Sequence, residues 1–363
     1  MAGQTFTNRV TDITYQYILP ALVDNVSNSN VFTSRLLSKT IDWEGVTYNV
    51  PIQTAFSTTG GPFNGMDTFS TAATNNTRQM SFLITGYSQS IVIPGIEAAV
   101  NGNTESQVIK LLTAKMDEAK ISMADGIGTE LYGFGLGKAF DGLGNIIDDG
   151  TNAATYGGLS RTTYPFLKAD VTAVTNGVLT LSYISSEFDN ASAASSTSES
   201  PTFGLTSKAI WTYFEGLMQP MLSARYEATS VKGYDRIDGK TPPHGSVPMR
   251  NTELSAAGGF ISISWRGRPV YADDKATAGT FFWVNDNYLD FAVQHTPELR
   301  DIGGTVEKME GFYADVPFPS AFQFRDMMSS INQLGEVGVV ILLGNVIDRQ
   351  PRRNGKLTGI TGN

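Results

Sequence analysis

Hydrophobic positions in this chain change their spacing several times, and each change marks an element. Val10, Ile13 and Tyr17 are spaced as on one helical face before Pro20 interrupts them. Leu22, Val26 and a polar Ser27-Asn28-Ser29-Asn30 stretch follow, then Val31, Phe32, Leu36 and Leu37. Pieces this short do not hold a helix by themselves, so the segment must dock on something. From Trp43 the period drops to two. Val46, Tyr48, Val50 and Ile52 alternate with other residues, and Met80, Phe82 and Ile84 alternate on the way back. Between them lie the turn signals Gly60-Gly61-Pro62, Asn64-Gly65 and Asn75-Asn76. The pattern predicts a two-stranded ribbon of about 12 residues a side, roughly 40 Å long. An isolated hairpin is marginal in water, so either the rest of the chain or a neighbouring copy must cover it.

A helical period then takes over. Thr104 and Gln107 have the spacing of a capping box, with Glu105 in the first turn where the helix dipole favours an anion. Val108, Leu111, Leu112, Met116, Ala119, Met123, Ile127 and Leu131 keep to one stripe, which predicts a helix of about 28 residues and roughly 40 Å. Gly126 and Gly128 weaken its last turns by about 1 kcal/mol each relative to Ala, and Gly133, Gly135 and Gly137 end it. A glycine-rich loop region covers 140–161. Leu181, Ile184, Phe188 and Ala191 define a second helix over 180–191, and Ile210, Phe214 and Leu217 a third over 206–218, stopped by Pro220. The serine-rich stretch 192–201 between them has no apolar pattern and is expected to be a mobile linker. Strands are predicted at 260–264, 269–271 and 280–284. The last, 337–343, is apolar on nearly every residue, which predicts burial on both faces in the middle of a sheet.

Length and composition narrow the class. At 363 residues the chain exceeds the usual single core, so two domains or one domain with long extensions are expected. Charged residues are only 17%, below the roughly 25% of ordinary soluble proteins, and small polar residues fill the gap. Such a surface loses less on desolvation, which suits a protein covered by copies of itself. A secreted polysaccharide-binding β-rich protein has a similar balance. The net charge of -9 argues against tight nucleic-acid binding. The basic cluster Arg349, Arg352, Arg353 and Lys356 reads as a solvated tail. With no cysteine there are no disulfides, cysteine nucleophiles or thiolate metal sites. No apolar run is long enough for a membrane helix, and the opening Met1-Ala2-Gly3-Gln4-Thr5 lacks a signal peptide's features, so folding in the cytoplasm is expected.

Candidate chemistry is thin. The two histidines, His244 and His295, have no partners at useful spacing. Gly86-Tyr87-Ser88-Gln89-Ser90 fails the nucleophile-elbow pattern at its fifth position. Gly133-Phe134-Gly135-Leu136-Gly137-Lys138 lacks a phosphate loop's spacing, and Ala139 stands where Ser or Thr is needed. The acidic pairs Asp148-Asp149 and Asp273-Asp274 complete no calcium loop and read as solvated turns. No catalytic, cofactor or metal residue is assigned, and the chain reads as no enzyme.

The order of elements carries more information than any motif. An arm, a long hairpin, one long helix, a glycine-rich loop, a mixed domain and a buried final strand together resemble the Hong Kong 97-type major capsid fold of tailed double-stranded DNA bacteriophages. Several stretches strengthen the resemblance. Phe140-Asp141-Gly142-Leu143 and Thr155-Tyr156-Gly157-Gly158-Leu159-Ser160-Arg161 are similar to the segment after that family's spine helix. Leu205-Thr206-Ser207-Lys208-Ala209-Ile210-Trp211 and Gly267-Arg268-Pro269-Val270-Tyr271 with Asp273 resemble parts of its axial domain.

The resemblance implies an α+β chain divided into an N-terminal arm (1–45), an extended hairpin loop (46–95), a peripheral domain with the spine helix (96–170 and 326–363) and an axial domain (171–325). It implies a structural protein of the virion shell, self-assembling into hexamers and pentamers of an icosahedral capsid around double-stranded DNA, made in a bacterial cytoplasm and without a membrane. Partners would be other copies, a portal, a separate scaffolding protein and a decoration protein. Residues assigned to assembly are Gly60, Gly61 and Arg78 in the hairpin loop, Met116 in the spine helix, and Gly157, Gly158 and Arg161 in the glycine-rich loop. The family's founding member cross-links through a hairpin-loop lysine, whereas residues 51–93 here contain no lysine, so that chemistry is expected to be absent. An encapsulin-type nanocompartment shares the fold and is the nearest alternative.

Overall fold

The computed structural model describes residues 30–57, 59–68, 74–96, 105–135, 137–193, 198–218, 262–294, 322–329 and 334–362. For 105–113, 116–117, 120, 322 and 324–327 it describes the backbone alone. The first part of the chain gives α1 (Val31–Leu37), β1 (Thr40–Asp42), the antiparallel pair β2 (Thr47–Gln53) and β3 (Thr77–Leu83), β4 (Thr85–Pro94) and the long α2 (Glu105–Glu130). A loop with the short pair β5 (Thr155–Tyr156) and β6 (Leu159–Ser160) leads to β7 (Asp170–Ala173), α3 (Leu181–Ala191), β8 (Phe203–Thr206) and α4 (208–218). Strands complete it: β9 (Ser262–Trp265), β10 (Arg268–Ala272), β11 (Phe281–Val284), β12 (Leu289–Val293), β13 (Phe322–Ser329), β14 (Gly335–Asp348) and β15 (Gly355–Thr358). Ser27, Ser29, His244 and His295 lie outside the described residues, as do Thr104 and its expected cap.

One sheet is built on the 14-residue β14, in the order β1-β12-β14-β13, with β4 also paired to β14. β4 runs antiparallel along residues 335–344 of β14, β12 takes over at 344–348, and β13 lies along 336–342. β14 is therefore central, as its sequence predicts. Burial on both faces is not found. Val340 and Leu342 are buried, while Val337, Val339, Ile341 and Leu343 on the other face are only half-buried. Side chains alternate across a pleated strand, so the unbroken apolar run covers one closed face and one open one.

A second sheet, β7-β15-β11-β8-β10-β9, separates two apolar cores. On one face Val270, Phe281, Trp283 and Leu357 meet Ile184 and Phe188 of α3 and Ile210, Phe214 and Met218 of α4. On the other, Phe203, Leu205, Tyr271, Phe282 and Val284 join the core that holds α1 and the first sheet. β8 and β11 are consequently buried at every position.

α1 packs into that first core through Val31, Phe32, Leu36 and Leu37. Arg35 and Lys39 pair with Asp286 at 3.1 and 3.4 Å, and the Phe32 N–H donates to Asp273 at 3.4 Å. β1 runs parallel to β12. Residues 30–43 thus dock on the chain's own body.

The two glycines near the end of α2 have a packing reason. Tyr87 of β4 lies so close over Gly126 that a methyl group there would overlap its hydroxyl, and Asn30 lies as close over Gly128. Bare backbone lets the helix settle on the sheet. Ala119, Met123, Ala124, Ile127 and Leu131 are the described part of the buried stripe.

Three expectations are corrected. The stretch 192–201 is not a free linker where described: Ser198 O accepts from Asn285 and Asn287 (3.1 and 3.2 Å), and Glu199 pairs with Arg353 at 2.8 Å and bonds Tyr288. The basic cluster is not a solvated tail. Arg349 pairs with Asp290, Arg353 with Glu199, and Lys356 is buried 3.6 Å from Asp148. Asp148 and Asp273 are buried rather than solvated, since each caps nearby backbone amides.

Candidate functional site

β2 and β3 pair over seven residues each, with Tyr48 opposite Phe82 and Val50 opposite Met80. The paired ribbon is shorter than the spacing predicts. Pairing stops at Gln53 and Thr77 because the intervening sequence turns polar and glycine-rich, and Val46, counted into the alternation, lies outside the strand and exposed. The base of the ribbon has its cover within the chain. Val50, Ile52, Met80 and Phe82 are buried, Phe82 meets Tyr156 edge-on at 5.3 Å, and the Ser81 N–H donates to Gly157 O at 2.9 Å. Gly157 has φ +55°, and a Cβ there would stand 2.7 Å from Met80 Cβ. That glycine is what lets the ribbon seat on the loop.

Beyond the base, large apolar side chains among the described residues are exposed. Phe56, Phe63 and Met66 are 84%, 65% and 99% exposed. Gly60 and Gly61 lie among them in open space. Arg78 sits at the boundary, its Nε donating to Tyr164 Oη of the loop at 3.2 Å.

The loop beneath is clamped by Arg161, which is fully buried. It donates to four main-chain carbonyls: Leu167 (3.1 Å), Ala153 (2.9 Å), Asn145 (2.6 Å) and Ile146 (3.1 Å). Its charge stands 3.6 Å from Asp148 and over the Tyr156 ring. Burial alone would raise the Asp148 carboxyl, but the Ala153 and Gly150 amides, the Asn152 side chain and Lys356 hold it below the usual carboxylate range. Tyr156 continues the network to β14, its hydroxyl accepting from Asp348 N at 2.8 Å. Asp348 is fully buried. Burial pushes its carboxyl up to about 7, against the Gln350 amide and the Asn354 side chain, with Asp290 adding to the rise.

The structure therefore brings together Arg78, Gly157 and Arg161 around the seat of the ribbon. Gly60 and Gly61 stand apart at its far end. Gly158 (φ +76°) completes the β5–β6 turn with open space above it. Met116 lies on α2, and its side chain is outside the described residues.

Sequence reading missed a second exposed surface. Across the open face of the first sheet, Val92, Val337 and Met328 stand in register, with Leu334 and Ile96 at the adjoining end, and Val92, Met328, Leu334 and Ile96 are exposed. The signal was present as unbroken apolarity in β14 but does not say which face is closed. Among the described residues no cluster of metal-ligating side chains occurs, and no helix is long and apolar enough to cross a membrane.

In its fold, with mixed α and β, two apolar cores among the described residues, a long helix and a two-stranded ribbon, the chain is similar along nearly its whole length to solved capsid structures. The cyanophage A-1(L) capsid asymmetric unit covers 91% of this chain and 92% of its own, with a TM-score of 0.61 at 13% identity. The capsid of a native GTA particle covers 92% and 90%, with a TM-score of 0.50 at 10% identity. The holo-SrpI encapsulin complex from Synechococcus elongatus PCC 7942 covers 91% and 87%, with a TM-score of 0.49 at 13% identity. No family model and no curated protein matches.

Proposed function

We propose that the chain is a structural major capsid protein of the Hong Kong 97 type and not an enzyme. It self-assembles into hexamers and pentamers of an icosahedral virion shell that encloses double-stranded DNA. In this reading 1–45 form the arm and 46–95 the hairpin loop. Residues 96–170 with 326–363 form the peripheral domain, and 171–325 the axial domain. A portal, a separate scaffolding protein and a decoration protein are its proposed partners.

One observation carries the reading. The ribbon is anchored at its base by the chain's own loop, while its far part presents Phe56, Phe63 and Met66 to solvent. Large apolar side chains exposed beyond the paired part of the hairpin are unfavourable in water and are stabilised against another surface. A subunit that offers such a ribbon, and a second apolar face on its sheet, is built to be covered by copies of itself. The acidic balance of 35 Asp and Glu against 26 Lys and Arg keeps a packaged polyanion from sticking to the wall.

Negative-stain microscopy of the purified recombinant chain tests the proposal. Closed shells several times wider than a single subunit are the expected result, and a homogeneous monomer under all assembly conditions would overturn it. Native particles filled with cargo protein instead of DNA would transfer the reading to an encapsulin-type compartment. A stable monomer that binds polysaccharide would transfer it to the secreted β-rich alternative.

A further inference from the structure

The second core holds a buried carboxyl group. Glu187 lies on the buried side of α3 with Ile184, Phe188 and Ala191, and is 1% exposed. It sits over the β7–β15 edge of the second sheet. Gly355 pairs with Asp170 and Leu357 with Thr172, so these four residues share the face that α3 covers. Gly355 leaves the space that Glu187 fills, since a Cβ there would stand 2.5 Å from Glu187 Oε1. Asp170 is tied to the same helix by Asn190 Nδ2 at 2.7 Å. Two carboxyl groups therefore meet in a single helix–strand contact.

Among the described residues, the other groups around them offer no counter-charge. The Lys356 side chain leaves from the opposite face of β15 to meet Asp148, and only its backbone N–H faces Glu187. Asp189, on the outer side of α3, pairs with Arg266. β7 contributes the Thr172 hydroxyl, and β11 contributes neutral Trp283, whose Nε1 donates to Ile184 O at 3.3 Å. No well-formed hydrogen bond reaches either Glu187 oxygen.

We propose that Glu187 and Asp170 form a one-proton latch: α3 is held on the sheet while Glu187 keeps its proton, and its hold weakens when that proton leaves. Ionised Glu187 is a buried anion beside a second carboxylate, with only the Thr172 hydroxyl and the Lys356 N–H to offset the charge, and such a charge is costly. Burial first, and Asp170 second, push Glu187 up to about 8 from an ordinary 4.5. The folded chain keeps a proton that the unfolded chain has lost. The contribution is therefore complete below about 4.5 and disappears as pH rises through about 8. Neutral pH lies on this slope, so the second core responds to modest alkalinisation.

Amide hydrogen exchange over residues 181–191 of the full chain, corrected for the intrinsic rate, reads the latch directly. Between about pH 6 and about pH 9 the opening of α3 in the native sequence should rise on the order of a hundredfold. Glu187→Gln, with the same shape and no charge to lose, should stay protected across the range. Asp170→Asn removes the neighbouring charge and should shrink the pH effect. Parallel profiles for the native chain and E187Q would overturn the latch, and so would an undiminished pH effect in D170N. Exchange is read equally in free subunits and in shells, so a failure to assemble would count against the capsid reading alone.

Discussion

Arg161 shows how much one side chain fixes here. It satisfies four carbonyls and faces Asp148 without reaching solvent, and breaking a buried pair typically costs about 3–5 kcal/mol because the partner charge is left behind. Arg161→Met should lower stability by about that amount, seen as a shift of the urea midpoint. Lys356 still faces Asp148, which places the loss toward the lower end. Asp348 acts in the opposite sense. Its folded carboxyl is raised to about 7 from 3.8, so its contribution is complete below about 3.8 and is lost as pH rises through about 7. Asp348→Asn should flatten that share of the decline between about pH 4 and about pH 8, measured as the denaturant midpoint at each pH. Neither role is visible in the sequence. Asp148 looked like a solvated turn and Arg161 an assembly residue, because local sequence does not report which polar side chains the fold will enclose.

Among the elements, α2 and the ribbon separate local preference from tertiary demand. Alanine favours a helix over glycine by about 1 kcal/mol, so Gly126→Ala should stabilise an isolated α2. In the folded chain the added methyl overlaps the Tyr87 hydroxyl, and overpacking of this kind costs about 1–3 kcal/mol. G126A should therefore lower the thermal midpoint, and adding Tyr87→Ala should make the second change cost less than it does alone. For the ribbon, replacing Phe56, Phe63 and Met66 with Ser removes apolar groups that are mostly exposed. The stability should change by less than about 0.5 kcal/mol, while, on the proposed capsid function, shell yield by size exclusion should collapse. A large loss of stability would mean that those residues pack on their own chain.

At the scale of the whole molecule, two cores share one sheet, and what touches one face of it is felt at the other. β11 gives Phe281 and Trp283 to one core and Phe282 to the other, with Val284 beside it. Truncating Trp283 to Ala should cost about 3–5 kcal/mol and should lower a single unfolding transition, monitored by calorimetry, rather than split it in two. Two separate transitions would show that the cores unfold independently.

Periodicity alone determined the ribbon, the long helix, α3, α4 and the strands β10, β11 and β14, but not β4, β7, β12, β13 or β15. The alternation of Tyr48, Val50 and Ile52 and of Met80 and Phe82 marked the two strands of the ribbon, though not their register or paired length, and the stripe from Ala119 to Leu131 marked the long helix, because pleat and helical pitch are local properties of the chain. The Phe281–Val284 strand and the central place of β14 were also legible as apolar runs. Only the tertiary structure decided which face of β14 is closed, that the ribbon seats on Gly157, and that Glu187 and Asp170 meet across α3 and β7. Those outcomes depend on residues far apart in the chain being brought together. Hydrophobic pattern says that a surface wants cover, but the long-range packing alone says what covers it and what stays exposed.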